Sequence, residues 1–336
     1  MPAQPSQTVS IASPMASGSG AYVVHKLLES RIRGYRVRSF DPRWTLFPPL
    51  LRRFADPRAT LVHTTPDYAV FVRHPGVPLV VTFHNFVLDD FMRQYSSLAQ
   101  RLHYRFDLRW WTQKALREAQ AVTAVSRFTA GLVKQALGYA GEVRVIYNGI
   151  DTQAFTPRSR PDDGIVKVLF SGNLTRRKGA DLLPRIAERA APNVRILYTT
   201  GLRIRSGLPE HPRLQCVGSV PYAAMPDLYR EVDALLYPSV REGFGLSVAE
   251  AMASGLPVVA TDCSSLPELV PPGKGGYLCP VGAADAFAEA VNRLAASASQ
   301  RREMGEFNRA RAERDFSLPR MIGEYEALFE ELRRRT

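Results

Sequence analysis

The residues best placed by type and spacing to do chemistry lie in YPSVREGFGLSVAEAMASGLPVVATD, where Glu242 and Glu250 stand with seven residues between them. A short apolar run, Ala234–Tyr237, leads into a loop holding Gly243 and Gly245, and a helical pattern starts near Leu246. Glycine lets a backbone approach a ligand closely, and the first turn of a helix presents unpaired N–H groups with partial positive charge. Gly243, Phe244, Gly245 and Leu246 therefore form a backbone suited to a diphosphate. A carboxylate accepts through both oxygens and so grips vicinal hydroxyls. Glu242, just before the loop, is placed for a sugar beyond the diphosphate, and Glu250, one turn into the helix, for a ribose.

Upstream, VLFSGNLTRRKG reads as a strand, a turn, and Lys178-Gly179 at the start of a helix expected from about Ala180. A cation beside a helix N-terminus is a second device for neutralising phosphate. These blocks together resemble glycosyltransferase family 4. The family's Glu-x7-Glu motif is matched by Glu242-GFGLSVA-Glu250 and by the A-x-G-x-P-V-V-A segment that follows it. The upstream block resembles the family's G-R/N-L-x-x-x-K-G segment, with Lys178 on the phosphate-binding lysine. Asn173 stands where many members have arginine, which leaves Arg176 or Arg177 to supply that cation. VIYNGIDTQAF resembles the family's N-G-I/V-D junction through Asn148-Gly149.

In the first half, LVVTFHN delivers His84 to the end of a strand, the edge at which open α/β sheets bind ligands. Family members often carry a histidine there that reaches the transferred sugar, and imidazole can hold a sugar hydroxyl without titrating. SIASPMASGSGAYVVHKLL joins a strand to a helix through Gly18 and Gly20, with Val23 in place of the third glycine of a dinucleotide fingerprint. A dinucleotide is thereby disfavoured. The loop resembles instead the family's glycine loop at the donor phosphate. Ser126 reads as the N-cap of a helix running toward Leu137.

In both halves of the chain short β-rich runs alternate with helical patterns, the signature of parallel sheets wrapped by crossover helices. Strands are expected over Thr8–Ser13, Tyr35–Phe40, Thr60–His63, Pro78–His84, Ala121–Val125 and Val143–Tyr147 in the first half. In the second they are Ile165–Ser171, Val194–Thr199, Leu214–Val217, Ala234–Tyr237, Pro257–Thr261 and Gly276–Cys279. Asp151–Gly164, with its Pro, Asp, Ser and Arg residues, sustains neither periodicity. The resemblance implies an α/β GT-B fold, two Rossmann-like domains facing across a cleft. Residues 1–150 would form the acceptor-side domain, 151–164 the linker, 165–316 the nucleotide-sugar-binding domain, and 317–336 a helix crossing back to the first domain.

A chain of 336 residues with 45% apolar content is long enough for two such domains. No apolar run approaches the roughly 20 residues of a membrane span, the N-terminus lacks the features of a secretory signal, and Cys216, Cys263 and Cys279 are widely spaced and read as reduced thiols. These features point to a cytoplasmic protein. The net charge is +12, and residues 1–155 hold 19 Lys and Arg against 10 Asp and Glu, so most of the excess lies in the first half. A basic half favours an anionic partner such as a membrane surface or a lipid diphosphate. Nucleic acid is disfavoured because no aromatic-basic or helix-turn-helix pattern accompanies the charge. Arg101, Arg105 and Arg109 recur among Leu98, Leu102, Phe106, Trp110 and Trp111, a pattern of either an interfacial helix on the inner membrane face or a surface helix packed on the sheet.

For mechanism, the resemblance implies retaining transfer of a hexose from a UDP- or GDP-linked sugar to an acceptor hydroxyl on a lipid-linked, lipopolysaccharide or other cell-surface glycan. Glu242, Lys178 and His84 would be the catalytic groups, with the nucleotide sugar as substrate and neither cofactor nor metal. The sequence has no D-x-D triplet. Two rivals are a nucleotide-sugar epimerase of the same fold, which the E-G-F-G-L block disfavours, and a catalytically silent binding subunit, which intact Lys178, Glu242 and Glu250 disfavour.

Overall fold

Each of the twelve apolar runs carries a strand in the computed structural model, which describes residues 10–89, 91, 107–158, 163–200 and 208–335. The strands are β1 (Ile11–Ala16), β2 (Tyr35–Phe40), β3 (Leu61–Thr64), β4 (Leu79–Phe83), β5 (Ala121–Ala124), β6 (Arg144–Val145), β7 (Val166–Phe170), β8 (Val194–Thr199), β9 (Leu214–Gly218), β10 (Ala234–Tyr237), β11 (Val258–Thr261) and β12 (Gly276–Cys279). They form two six-stranded parallel sheets, ordered β2-β1-β3-β4-β5-β6 and β12-β11-β10-β7-β8-β9. Central strands such as β4 and β11 are buried along their whole length. That is why they read as continuous apolar runs rather than as alternating ones.

The second sheet has the doubly wound order, in which chain progression reverses between β7 and β10. Such a reversal opens a crevice at the carboxyl ends of the two strands, because their crossover connections leave to opposite sides. In the first sheet the reversal falls between β1 and β3.

The chain packs as two units, Met1–Tyr147 with Pro319–Thr336, and Asn148–Leu318. Val62, Val81, Phe83 and Val122 centre the core of the first, and Val168, Phe170, Leu236, Val259 and Phe287 that of the second. The helix Leu318–Arg335 belongs to the first unit over almost its whole length. Its Tyr325 and Phe329 rings lie 5.0 and 5.5 Å from the His63 ring, and Arg144 pairs with Glu331 at 3.0 Å. Phe155, inside the segment expected as a linker, is buried against Tyr229. Among the described residues no helix is long and apolar enough to cross a membrane.

Two elements differ from expectation. β1 runs on through Pro14 to Ala16 rather than ending at Ser13. It does so because its ladder to β3 covers only Ile11 and Ala12, so the missing proline N–H falls beyond that ladder. The helix expected from Ala180 starts at Leu183, preceded by two 3₁₀ turns, Arg176–Lys178 and Ala180–Leu182. Pro184 suits the first turn of that helix, where no N–H partner is needed. Within the Arg-aromatic segment, residues 98, 101, 102, 105 and 106 lie outside the described ones; Arg109, Trp110 and Trp111 open the helix Arg109–Glu118.

Phe329 is 5% exposed and touches the Tyr35, His63 and Tyr325 rings. Truncation there removes all three ring contacts. Phe329→Ala should cost about 3–5 kcal/mol of stability, read as a lower urea midpoint at unchanged m-value.

Candidate functional site

The loops after β7 and β10, the two strands at the reversal point, are drawn into contact by Gly179. Its φ is +74°, and a Cβ there would lie 2.2 Å from the Pro238 carbonyl oxygen, so no other residue type fits without displacing the backbone. Val240 N donates to Arg177 O at 3.0 Å, tying the loops together over the same stretch. This approach carries Lys178 to Glu242. Lys178 Nζ donates to Glu242 Oε1 at 2.6 Å and to the Tyr237 hydroxyl at 2.8 Å, with its charge 5.1 Å from the Tyr237 ring centroid.

The electrostatics of the pair follow from its position. Burial opposes the charge on each group, but each outweighs that effect on the other. The Glu242 carboxyl is held below its usual range by Lys178 and Arg177, and the Lys178 ammonium is held above its usual value by Glu242. Glu242 is further fixed by the Ser239 hydroxyl, and its N–H donates to Ser264 Oγ at 3.1 Å. Ser264, with φ of 54°, is the one non-glycine residue with positive φ among the described residues. Ser265 Oγ donates to the Glu242 and Phe244 carbonyls at 3.2 and 2.9 Å, so a third loop, after β11, braces the acid.

Beyond Glu242 the backbone turns through Gly245, φ +101°, into the helix Leu246–Ala253. Gly245 has no side chain to cap this helix, whose ladder begins with the Val248 and Ala249 N–H groups on the Gly245 carbonyl, so the Leu246 and Ser247 N–H groups precede it. Phe244, expected at the donor, turns its side chain into the core against Phe316, ring centroids 5.6 Å apart, and so has only backbone to offer. Glu250 is 5% exposed, and its Oε2 accepts from the Tyr229 hydroxyl at 3.0 Å.

Lys178 stands in a 3₁₀ turn rather than at the start of an α-helix, a correction to the sequence expectation. Of the two arginines proposed to stand in for the cation missing at Asn173, Arg177 is the one beside the acid. It lies 4.0 Å from Glu242 Oε1 and donates to Arg241 O at 2.9 Å, while Arg176 is exposed. Arg177, Lys178, Glu242, Gly243, Gly245, Leu246 and Glu250 thus belong to one region of the second unit. Tyr237, Ser239, Ser264 and Ser265, which support it, were not legible as site residues because nothing in their spacing marks which hydroxyl turns inward.

Gly18, Gly20 and His84 belong to the first unit. Gly18 has φ of +75°, and Ser19 caps the helix Gly20–Arg31 by accepting from Tyr22 N at 3.1 Å. Ser126 caps its helix in the same way through Thr129 N. His84 follows β4, and its Nε2 lies 3.0 Å from His25 Nε2. Burial pushes the His84 pKa down to about 3, so its imidazole is neutral at pH 7. The sequence reading missed its partner His25 and, behind it, Tyr35 and His63.

Burial pushes the Glu250 carboxyl up to about 7, with the Tyr229 hydroxyl acting against it. The unfolded value is about 4.3, so the folded protein holds this proton more tightly and the associated stability is lost as pH rises through 7. Glu250→Gln should match the parent at pH 4 and be more stable at pH 8, by up to about 3 kcal/mol. Urea unfolding of both proteins at the two pH values checks the sign.

Sequence profiles of two families match the chain: Glycosyltransferase Family 4 over residues 6–154 and Glycosyl transferases group 1 over residues 166–297. The alpha-maltose-1-phosphate synthase of Mycolicibacterium smegmatis is 29% identical over 306 residues, covering 77% of this chain and 76% of that one. The D-inositol 3-phosphate glycosyltransferase of Kribbella flavida is 29% identical over 228 residues, 57% of this chain and 53% of that one. Among solved structures, the sucrose-phosphate synthase of Thermosynechococcus elongatus superposes with a TM-score of 0.82 at 20% identity, covering 98% of this chain and all of that one. Anabaena HepE in complex with UDP and glucose gives 0.75 at 19%, covering 96% and 99%. With residues 6–154 and 166–297 matched by these two glycosyltransferase profiles, the chain belongs to the family 4, group 1 glycosyltransferases.

Proposed function

We propose that the protein is a retaining, metal-independent hexosyltransferase that takes its sugar from a UDP- or GDP-linked donor. The observation that carries this reading is the Lys178–Glu242 pair beside an uncapped helix N-terminus at the reversal point of the second sheet. An ammonium has three N–H donors, and Lys178 spends two on Glu242 and Tyr237. The third is available to a phosphate oxygen without dismantling the pair. As the glycosidic bond breaks, charge develops on the departing diphosphate, and a fixed cation with aligned backbone N–H groups stabilises it without reorganising. Asn173 and Arg177 would complete the phosphate contacts within the second unit. The second oxygen of Glu242 would accept from hexose hydroxyls, and Glu250 would accept from the ribose.

The acceptor we favour is a lipid-linked, lipopolysaccharide-type or other cell-surface glycan, met at the cytoplasmic face of a membrane. Support comes from a ridge on two 3₁₀ helices, Pro42–Leu46 and Pro48–Phe54, where Leu46, Phe47 and Leu50 are 73, 65 and 53% exposed beside exposed Arg52 and Arg53. Apolar side chains rimmed by arginine suit an anionic lipid surface. A second acceptor class, a soluble sugar or polyol bearing phosphate, is favoured by the names of the relatives from Mycolicibacterium and Kribbella. The positive charge of the first half suits that class equally, and transfer assays with soluble and lipid-linked acceptors separate the two.

Calorimetric titration with UDP, GDP and ADP, without metal and then with magnesium, tests the donor site. One nucleotide should bind without metal and lose affinity in Glu250→Ala; failure of all three to bind folded protein would favour the silent-subunit alternative. With the donor known, Lys178→Ala should lower kcat by about 10²-fold or more, and near-normal turnover would remove Lys178 from the mechanism. In flotation with vesicles containing anionic lipid, the parent should rise with the vesicles and the triple variant L46S/F47S/L50S should stay behind. Equal behaviour of the two would discard the ridge as a membrane contact.

A further inference from the structure

The Lys178 side chain is held along its length, and one of the groups that hold it has no part in the transfer reading. Its stem passes over Gly172, where a Cβ would lie 3.9 Å from both Lys178 Cγ and Cδ. Its ammonium sits between Glu242 Oε1 at 2.6 Å and the Tyr237 hydroxyl at 2.8 Å. Tyr237 ends β10, an inner strand buried along its whole length, and stands opposite Ala260 of β11. Its ring is buried, and its hydroxyl makes no other hydrogen bond among the described residues.

Chemistry fixes the direction of the bond to Tyr237. An ammonium has three N–H groups and no lone pair, so Lys178 donates and the phenol oxygen accepts. Burial, with the Glu242 charge adding to it, pushes the Tyr237 phenol up to about 12, so the accepting group is neutral at pH 7. Two fixed acceptors set the rotation about the Cε–Nζ bond and leave the third N–H a single direction. The Lys178 side chain keeps 16% of its surface exposed, so a ligand can reach it.

The neutrality of the phenol matters as much as its position. A second carboxylate in its place would hold the ammonium but add negative charge where a diphosphate must come. An apolar ring would leave one N–H of a buried cation without an acceptor, and rotation of the ammonium onto both oxygens of Glu242 would relieve that cost. Glu242 Oε1 already receives Lys178 and the Ser239 hydroxyl, whereas no described residue donates to Oε2. The rotation would therefore consume both the spare N–H and the spare oxygen of the pair.

We propose that Tyr237 is the positioning residue of the Lys178 ammonium, holding its third N–H for the donor diphosphate and keeping Glu242 Oε2 clear for the hexose. The inference rests on the reading of Lys178 as the cation that meets the diphosphate. Standing beside the acid assigned to the hexose, Lys178 would meet the outer, sugar-bearing phosphate. A nucleoside monophosphate lacks that phosphate but keeps base and ribose. The preference for diphosphate over monophosphate thus reads the direction of the third N–H, while the other contacts cancel.

Calorimetric titration of the parent, Tyr237→Phe and Lys178→Ala with UDP and UMP, and with GDP and GMP, tests the assignment. The parent should bind one diphosphate more tightly than its monophosphate, and Lys178→Ala should lose most of that preference. In Tyr237→Phe, which removes only the hydroxyl, the preference should fall about ten-fold, near the lower worth of a hydrogen bond to a charged group, at unchanged monophosphate affinity. An unchanged preference in folded Tyr237→Phe would overturn the proposal. Equal loss of both affinities would do so too, since it marks a hydroxyl that only supports the fold. A parental preference in Lys178→Ala would instead remove the cation from the donor site, and the proposal with it. Spectra of the ligand-free parent labelled with ¹⁵N at lysine need no variant. The Lys178 ammonium should rotate more slowly than those of exposed lysines, and free rotation would overturn the proposal even where Tyr237→Phe does not fold.

Discussion

The contact between the loops after β7 and β10 is the constraint on which the rest of the second unit depends. Gly179 lies against the Pro238 carbonyl in a left-handed conformation, and that approach sets Lys178 against Glu242. A buried ion pair gains little net stability over an apolar alternative, but losing one partner leaves an uncompensated charge at a cost of about 3–5 kcal/mol. The surrounding hydroxyls are arranged accordingly. Tyr237 and Ser239 bond the charged groups, while Ser264 and Ser265 bond the backbone that carries Glu242. The region is thus preorganised around a cation with a donor to spare, which is the requirement for stabilising a developing diphosphate charge.

The first unit organises its polar groups differently. Its sheet buries imidazoles and hydroxyls contributed by β1 to β5 and by the helix Gly20–Arg31, and the helix Leu318–Arg335 covers them with aromatic rings. Buried polar atoms without partners are costly, and a connected network spreads the requirement over several residues. All but His84 Nδ1 in this network are paired. Burial also strips the imidazoles of charge, so the basic first half meets any anionic partner through surface arginines such as Arg52 and Arg53 rather than through these rings.

Lys178, Glu242 and His84 all stand on loops at the carboxyl ends of parallel strands, which is where a doubly wound sheet leaves room for a ligand. The strands beneath are apolar and closely packed, and the loops vary in the hydroxyls and charges they carry. The relatives' names carry different sugars and polyols, as expected where one fold hosts several substrates.

The sequence by itself determined the twelve strands, the helical cap at Ser126, the helix start at Leu246, and the blocks holding Lys178, Glu242 and Glu250. Each of these rests on a local rule: apolar periodicity, the conformational freedom of glycine, or the chemistry of a capping hydroxyl. Tertiary structure decided what no local rule reaches. Pro14 stays within a strand because the ladder to β3 has already ended, and Leu183 rather than Ala180 starts its helix because Gly179 is held against Pro238. Phe244 turns inward because Phe316 receives it, and Arg177 rather than Arg176 reaches the acid because its carbonyl is bound by Val240. Tyr35 and His63 meet through the strand order of the first sheet, and His25 joins them from the helix Gly20–Arg31 packed on it. Proximity across a sheet depends on strand order and register, which are properties of the packed whole and leave no mark on the spacing of residues along one segment.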